Sequence, residues 1–160
     1  HDNGWISFFQ NEYKLAENTS IVQLDYDFVT FKDAEAVRVF RGFKDKFQGE
    51  KYDLILVDAP LGGDMKQYAR IDILELIPEC LDERFVIIID DTERSGEKNT
   101  VEEICKILNQ SGIDYTIGDY SGKKSSALIC SESLSFLTTL FQCINFNFNL
   151  FLSASHFATI

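Results

Sequence analysis

The sequence predicts an α/β domain whose sheet is parallel at its centre and antiparallel at one edge. Tyr52–Val57 (YDLILV), apolar except for Asp53, and residues 85–89 (FVIII) are apolar runs, typical of parallel strands covered by helices on both faces. Segments with helical spacing follow them. Residues 114–120 and 125–130 are two strand candidates around a short turn, which favours a closing hairpin.

Two further elements are predicted before the first apolar run. Residues 20–25 (SIVQLD) favour a short buried strand. Asp33 can cap a helix that ends at Gly49. The apolar residues of this predicted helix fall at helical spacing: Ala36, Val37, Phe40, Phe43 and Phe47.

Two more helices are expected later in the chain. Residues 67–77 have a helix-like pattern that Pro78 stops or kinks. Asn99 and Glu102 have the spacing of a capping box, and Gly112 is a natural stop for that helix. Its apolar face consists of Val101, Ile104, Cys105 and Leu108.

The charge of the chain limits its partners. The sequence contains 26 acidic and 15 basic residues, for a net charge of −11. Such a surface repels phosphate backbones and anionic lipids, so we expect neither nucleic acid nor membrane as a partner. There is no signal peptide and no apolar run long enough to span a bilayer, so we expect a cytoplasmic domain.

Cysteine and histidine chemistry is not indicated. The four cysteines form no C-x-x-C pair and lie in apolar stretches, which favours small buried side chains in a reducing compartment. The only histidines are His1 and His156. A zinc site or a Ser–His–Asp triad is therefore not expected.

The chain divides into residues 1–140, which carry the α/β pattern, and a carboxy-terminal extension, residues 141–160. In the extension Asn145, Asn147 and Asn149 alternate with apolar residues. This strand period predicts an edge strand.

Several segments resemble one family. YDLILVDAP, YARIDILELIPECL, FVIIIDDTERSGE and YTIGDYSGKKSSALICS are similar to a run found in bacterial class I S-adenosylmethionine-dependent methyltransferases. The opening residues HDNGW resemble the exit of the family's second strand. The resemblance covers roughly residues 1–140 and implies methyl transfer to a small-molecule acceptor that the sequence does not identify.

The resemblance implies a Rossmann-like sheet with strand order 3-2-1-4-5-7-6. Residues 20–25 would be strand three, Tyr52–Val57 strand four and residues 85–89 strand five. The closing hairpin would supply strands six and seven. The central strands one and two would be absent or truncated, and a fragment of a longer gene product is the expected reason, given the start at His1.

The same resemblance implies a cofactor site that lacks its main loop. Gly62–Gly63 follow the wrong strand to form the glycine-rich turn after strand one, so we expect weak cofactor binding or none. Asp58 is the candidate catalytic residue, beside the transferred methyl group. The implied S-adenosylmethionine contacts are Asp2, Asp25, Tyr26, Asp58, Ala59 and Pro60.

Carboxylates at the ends of two parallel strands suggest a cation site. Asp58, Asp90 and Asp91 could converge at one sheet edge and bind Mg²⁺, as in catechol-type methyltransferases. Alternatively, Asp90 and Asp91 cap the following helix and Asp58 caps its own loop. Arg70 and Arg94 could neutralise these aspartates or a substrate carboxylate.

The sequence leaves three alternatives open. The domain could be a truncated or degenerate relative that only folds and self-associates, or two chains could complete each other as a homodimer. It could also be a response-regulator receiver with Asp58 as phosphoacceptor and Thr92 as switch hydroxyl. Against the receiver, Asp25 and Asp27 lie too close in sequence to Asp58 to form its acidic pair comfortably, and a closing hairpin does not fit.

Overall fold

The structure, a computed structural model, describes residues 3–13, 16–140 and 157–159. These residues form a mixed α/β fold with a larger mixed sheet, whose fifth strand is only three residues long, and a two-stranded antiparallel sheet. Two short 3-10 helices occupy Ile71–Glu75 and Glu132–Leu134. The remaining elements, in chain order, are α1 (Asn3–Glu12), β1 (Tyr26–Phe31), β2 (Ala34–Phe40), α2 (Phe43–Phe47), β3 (Tyr52–Val57), β4 (Leu81–Asp90), α3 (Ser95–Gln110), β5 (Tyr115–Ser121), β6 (Ser125–Ser131), α4 (Phe136–Leu140) and β7 (Phe157–Thr159).

The larger sheet has the order β5-β6-β4-β3-β7. Strands β3 and β4 are parallel, with Leu54 opposite Val86, whereas β6 runs antiparallel to both β4 and β5. The three-residue strand β7 pairs parallel with the free side of β3. The expected parallel centre and antiparallel hairpin are therefore confirmed.

Both faces of this sheet are covered, as the two apolar runs predict. On one face the isoleucines Ile55, Ile87 and Ile89 pack with Ile104 and Leu108 of α3. On the other face a smaller cluster around Leu54, Val86 and Leu128 contacts Leu134 and Leu137. Each fully buried side chain of this size contributes about 1.5–3 kcal/mol relative to an exposed one, so these layers fix the positions of the strand ends.

The second sheet corrects two predictions. Residues 20–25 are not a strand, and the predicted helix after Asp33 is instead strand β2 followed by the five-residue helix α2. The spacing of the apolar residues fits a helix, but residues 34–40 also fit a strand, and pairing with the aromatic and β-branched β1 decides between them. The described part of the larger sheet therefore contains no counterpart of the family's strand three, which was expected at residues 20–25.

Two helix predictions are corrected in detail. Residues 67–77 contain only the 3-10 helix Ile71–Glu75. Helix α3 begins at Ser95, not at Asn99, whose side chain donates a hydrogen bond to the carbonyl oxygen of Gln67 (2.7 Å) and caps nothing. The predicted stop is confirmed, because α3 ends at Gln110 and Gly112 adopts a left-handed φ of 67°.

The small sheet is fastened to the rest of the fold through the 3-10 helix Ile71–Glu75. The backbone N–H of Phe40, the last residue of β2, donates to Oδ1 of Asp72 at 2.6 Å. An apolar cluster of Ala34, Val37 and Ile71 lies beside this hydrogen bond. The hairpin β1–β2 therefore packs beside the segment that leads from β3 to β4.

The edge strand predicted around Asn145 to Asn149 lies outside the described residues, as do His1 and Asp2. The division at residue 140 stays a prediction. No helix in the described ranges is both long and apolar enough to cross a membrane. The cysteines agree with the expectation of buried thiols, since Cys80 and Cys130 are buried and Cys105 is partly exposed; Cys143 is outside the described part.

Candidate functional site

The carboxyl ends of β3 and β4 bring three aspartates together. Asp58 directly follows β3, Asp90 is the last residue of β4, and Asp91 comes next in the chain. Because the two strands are parallel, these residues lie at the same edge of the sheet. One carboxylate oxygen from each lies within 4.8 Å of the others. We call these three residues the aspartate cluster.

A buried arginine sits behind the aspartate cluster. The side chain of Arg70 is 2% exposed, and its Nη2 lies 2.7 Å from Oδ2 of Asp91 and 3.3 Å from Oδ1 of Asp58. Its Nη1 donates to the carbonyl oxygen of Asp90 at 2.9 Å. Arg70 thus joins the ends of both parallel strands. The sequence suggested Arg70 as a partner of the aspartates, but gave no sign of its burial.

Glu97, in the first turn of α3, extends the network inward. Its side chain is fully buried, and its Oε1 lies 3.4 Å from Nη1 of Arg94 and 3.8 Å from Nε of Arg70. The positive end of the helix dipole favours a carboxylate at this position. Arg94 also approaches Oδ2 of Asp91 at 2.9 Å. Sequence reasoning missed Glu97; its only signal was an acidic residue in a first helical turn.

Two glycines, Gly62 in the loop after β3 and Gly96 in the first turn of α3, make room for this network. A Cβ atom on Gly62 would lie 2.2 Å from Oε1 of Glu97, and one on Gly96 would lie 2.4 Å from the carbonyl oxygen of Met65. Real Cβ atoms do not approach so closely, so residues larger than glycine require the loop or the helix to shift. Gly62 therefore serves loop packing, not the phosphate- or cofactor-cradling role of a glycine-rich turn.

Lys124 completes the charge pattern from the turn between β5 and β6. Its Nζ lies 2.7 Å from Oδ1 of Asp91, an ion pair without regular hydrogen-bond geometry, and 3.5 Å from Oδ2 of Asp90. The hydroxyl of Ser126 donates to Oδ1 of Asp90 at 2.9 Å. The sequence gives no sign of this role for Lys124, because only the folded hairpin brings the side chain to the end of β4.

The charges shift the pKa values of these groups in different directions. Burial raises the pKa of Asp58 above its usual value, although Arg70 opposes the shift. Burial also acts on Asp91, but its contacts with Lys124 and Arg70 outweigh burial and leave its pKa lowered. Contact with Asp91 in turn raises the pKa of Lys124. Asp58, with 55% of its side chain exposed, is the accessible carboxylate of the cluster.

The aspartate cluster offers the right donor chemistry for Mg²⁺, but its oxygens are largely engaged. Hard divalent cations prefer several carboxylate oxygens with open coordination positions. Here both oxygens of Asp91 face cationic side chains, and both oxygens of Asp90 have partners in Ser126 and Lys124. As arranged, the three aspartates do not fit a resident divalent ion.

The implied cofactor residues are divided between two places. Ala59 and Pro60 follow Asp58 at the sheet edge, whereas Asp25 precedes β1 and Tyr26 begins it. The Tyr26 ring packs against Phe40, with 5.3 Å between ring centroids. The backbone carbonyl of Asp25 accepts a hydrogen bond from the N–H of Arg41 at 2.8 Å, so this residue is held beside the small sheet. Asp2 lies outside the described part of the chain.

Arg38 is the link between the small sheet and the loop after β3. Its guanidinium makes a two-point contact with the carboxylate of Asp64, at 2.8 and 2.7 Å, and also donates to the carbonyl oxygen of Leu61. It lies 5.7 Å from the centroid of the Tyr26 ring. Sequence reasoning missed Arg38, because its role depends on the β1–β2 hairpin that was predicted as a helix.

Comparison of the chain with protein-family models, with curated proteins and with solved structures found no match. Interpretation of the site therefore depends on the residues themselves: an exposed aspartate at the end of a buried strand, a buried arginine behind it, and a lysine that reaches in from a hairpin.

Proposed function

We propose that the chain carries the carboxy-terminal half of a class I S-adenosylmethionine-dependent methyltransferase domain, with Asp58 facing the methyl acceptor. The observation that supports this most is the strand order of the larger sheet. The order β3-β4-β6-β5, with only β6 antiparallel to β4, matches the stretch 4-5-7-6 of the order that the family resemblance implies.

The position of the aspartates adds support. In open α/β sheets, ligands bind beyond the carboxyl ends of the parallel strands, and Asp58 and Asp90 stand at that edge. Strand β7 pairs parallel with β3 on the side where the family's strand one would run, but over three residues only. Three residues do not replace a full central strand.

The described residues do not fit S-adenosylmethionine by themselves. The chain contains no glycine-rich turn after a central strand, and the described cofactor candidates lie partly in the small sheet. We therefore assign no step of catalysis to a cofactor held by this chain alone. Its proposed contribution is the side of the site that meets the acceptor.

At that side Asp58 would accept or hold a proton of the acceptor. Its side chain is 55% exposed, and the partial burial of the remainder raises its pKa, which makes it a better proton acceptor than an ordinary aspartate. Arg70, 3.3 Å from Oδ1, fixes the orientation of the side chain. The described residues do not specify the acceptor.

The first test is calorimetric titration of S-adenosylhomocysteine into the folded 160-residue chain, with and without Mg²⁺. Micromolar binding that Asp58→Asn weakens would support use of the cofactor by this chain. Glu83→Gln provides a matched control, because Glu83 is an exposed acid on the same sheet, outside the aspartate cluster. Absence of binding by a folded sample would overturn the proposal for this chain.

A second candidate function, self-association without catalysis, is favoured by the edge of β3. Within the described ranges residues 54–57 of this strand are apolar, and the strand that covers them, β7, is only three residues long. An apolar edge covered by so short a strand tends to recruit another strand. A second copy of the chain would supply one and form a homodimer.

Hydrogen exchange at several protein concentrations tests this candidate. If copies pair through β3, amides of β3 exchange more slowly as concentration rises, whereas amides of β5, at the opposite edge, serve as the internal control. Equal exchange in β3 at all concentrations, with a constant monomeric mass, would exclude self-association at this edge.

The receiver alternative gains no support from the described residues. Its acidic pair would require Asp27 near Asp58, but Asp27 lies in the small sheet and pairs with Arg41 at 3.4 Å. Asp58 itself faces Arg70, and the sheet closes with an antiparallel hairpin.

A further inference from the structure

We propose that Lys124 is a tethered cation that takes the place of a divalent metal ion in the aspartate cluster and keeps such ions out. This inference concerns the charge balance of the cluster and does not depend on methyl transfer.

Lys124 already contacts two of the aspartate cluster's carboxylates. Its ammonium group contacts Oδ1 of Asp91 at 2.7 Å and lies 3.5 Å from Oδ2 of Asp90. These oxygens are two of the donors that a bound cation would need. A metal ion that used both would have to displace the ammonium group.

The charges around the cluster also disfavour a divalent ion. The carboxylates of Asp58, Asp90, Asp91 and Glu97 face the three cations Arg70, Arg94 and Lys124. A divalent ion added to this group would leave it with excess positive charge. If a neutral residue replaced Lys124, the four carboxylates and two arginines would keep a net double negative charge, which a divalent ion would balance.

The side chain of Lys124 is free to move into solvent, whereas the two arginines are fixed by their ion pairs. Arg70 is 2% exposed and is bound at several points, and Arg94 bridges Asp91 and Glu97. The side chain of Lys124 is 57% exposed and comes from a turn. Its long, flexible stem can swing into solvent without unpacking the core.

A titration with Mn²⁺ tests the inference, with binding measured by calorimetry and by the electron paramagnetic resonance signal of free Mn²⁺. We expect the unmodified chain to bind Mn²⁺ at about 1 mM or more weakly, and Lys124→Met to bind at least about tenfold more tightly. Lys124→Arg should keep the low affinity, because it keeps the charge.

Lys123→Met is the matched control, since Lys123 is an exposed neighbour in the same turn and makes no ion pair within the described ranges. Lys124→Gln provides a second neutral variant if Lys124→Met does not fold. Adding Asp90→Asn to Lys124→Met should remove the gained affinity. The inference is overturned if the neutral variants bind no more tightly than Lys123→Met, or if Asp90→Asn leaves the gain intact.

Discussion

At the scale of single residues, the aspartate cluster depends on the match between Arg70 and its acidic partners. The guanidinium is almost fully buried between Asp91 and Glu97, two carboxylates that are themselves buried. Arg70 also has a left-handed backbone, with φ of 59°, as does Asp91 with φ of 60°. Non-glycine residues adopt this conformation at an energetic cost, which the ion pair between them offsets.

We predict that Arg70→Met destabilises the fold by about 3–5 kcal/mol, because it leaves buried carboxylates without their cation. Urea unfolding followed by circular dichroism measures the loss. Arg84→Met is the control, since Arg84 is exposed on β4 and its replacement should change stability by less than about 0.5 kcal/mol. Equal losses in both variants would contradict the assigned role of Arg70.

The buried carboxyl group of Asp72 should make the stability of the fold depend on pH. Burial raises its pKa to about 6 from 3.8, although the N–H of Phe40 opposes the shift. The folded state therefore binds this proton more tightly than the unfolded state, so the Asp72 contribution to stability is most favourable below about pH 4. It is lost as pH rises through about 6, by up to roughly 3 kcal/mol in total.

The difference in unfolding free energy between the unmodified chain and Asp72→Asn, measured from pH 4 to pH 8, isolates this effect. Asparagine can still accept the Phe40 hydrogen bond but does not titrate. We expect the asparagine variant to gain stability relative to the unmodified chain as pH rises to about 7. A difference that stays constant across this range would show that Asp72 keeps an ordinary pKa.

At the scale of elements, the loop after β3 and the first turn of α3 are packed as one unit. Ser95 donates from its hydroxyl to the carbonyl oxygen of Lys66 at 2.6 Å, and Thr100 donates to that of Ala69 at 2.6 Å. The glycines allow this close approach. The carboxylate of Glu97 is thereby held beneath the loop that carries Asp58.

Gly62 and Gly63 are neighbours in this loop, and we predict that they tolerate replacement by alanine to different degrees. A Cβ at Gly62 would lie 2.2 Å from Oε1 of Glu97 and 2.9 Å from Cβ of Ala69, whereas a Cβ at Gly63 meets only Arg94, at 3.8 Å. We expect Gly62→Ala to cost about 1–3 kcal/mol through overpacking and Gly63→Ala to be close to neutral. Thermal unfolding of the two variants measures this, and a neutral Gly62→Ala would mean that the loop adapts freely.

At the scale of the whole molecule, a strong negative charge opposes the apolar edge of β3. The net charge of −11 makes copies of the chain repel one another, while the edge favours strand pairing. The two tendencies respond differently to salt. Screening weakens the repulsion and leaves strand pairing nearly unchanged.

We therefore predict that self-association, where it occurs, strengthens as NaCl rises from 20 to 500 mM. These concentrations span Debye lengths from roughly 20 Å to about 4 Å. Sedimentation velocity at several protein concentrations measures the mass. Association that weakens with salt would point to contacts between opposite charges instead of pairing at the β3 edge.

The sequence by itself determined the parallel centre of the larger sheet and its closing hairpin. LILV (residues 54–57) and FVIII (residues 85–89) are apolar at every position, which favours strands buried on both faces. Asp58, Asp90 and Asp91 could be named as neighbours for the same reason, since parallel strands end at one edge. Local patterns of this kind need no knowledge of distant residues.

The tertiary structure decided what depends on distant partners. Residues 34–40 fit a helix or a strand, and only their pairing with Tyr26–Phe31 selects the strand. Arg70 and Glu97 are charged residues that a sequence would place at the surface, yet they are buried because they neutralise each other and Asp91. Lys124 reaches the aspartate cluster only when β6 pairs with β4, because charge complementarity acts between side chains that folding, not sequence spacing, brings together.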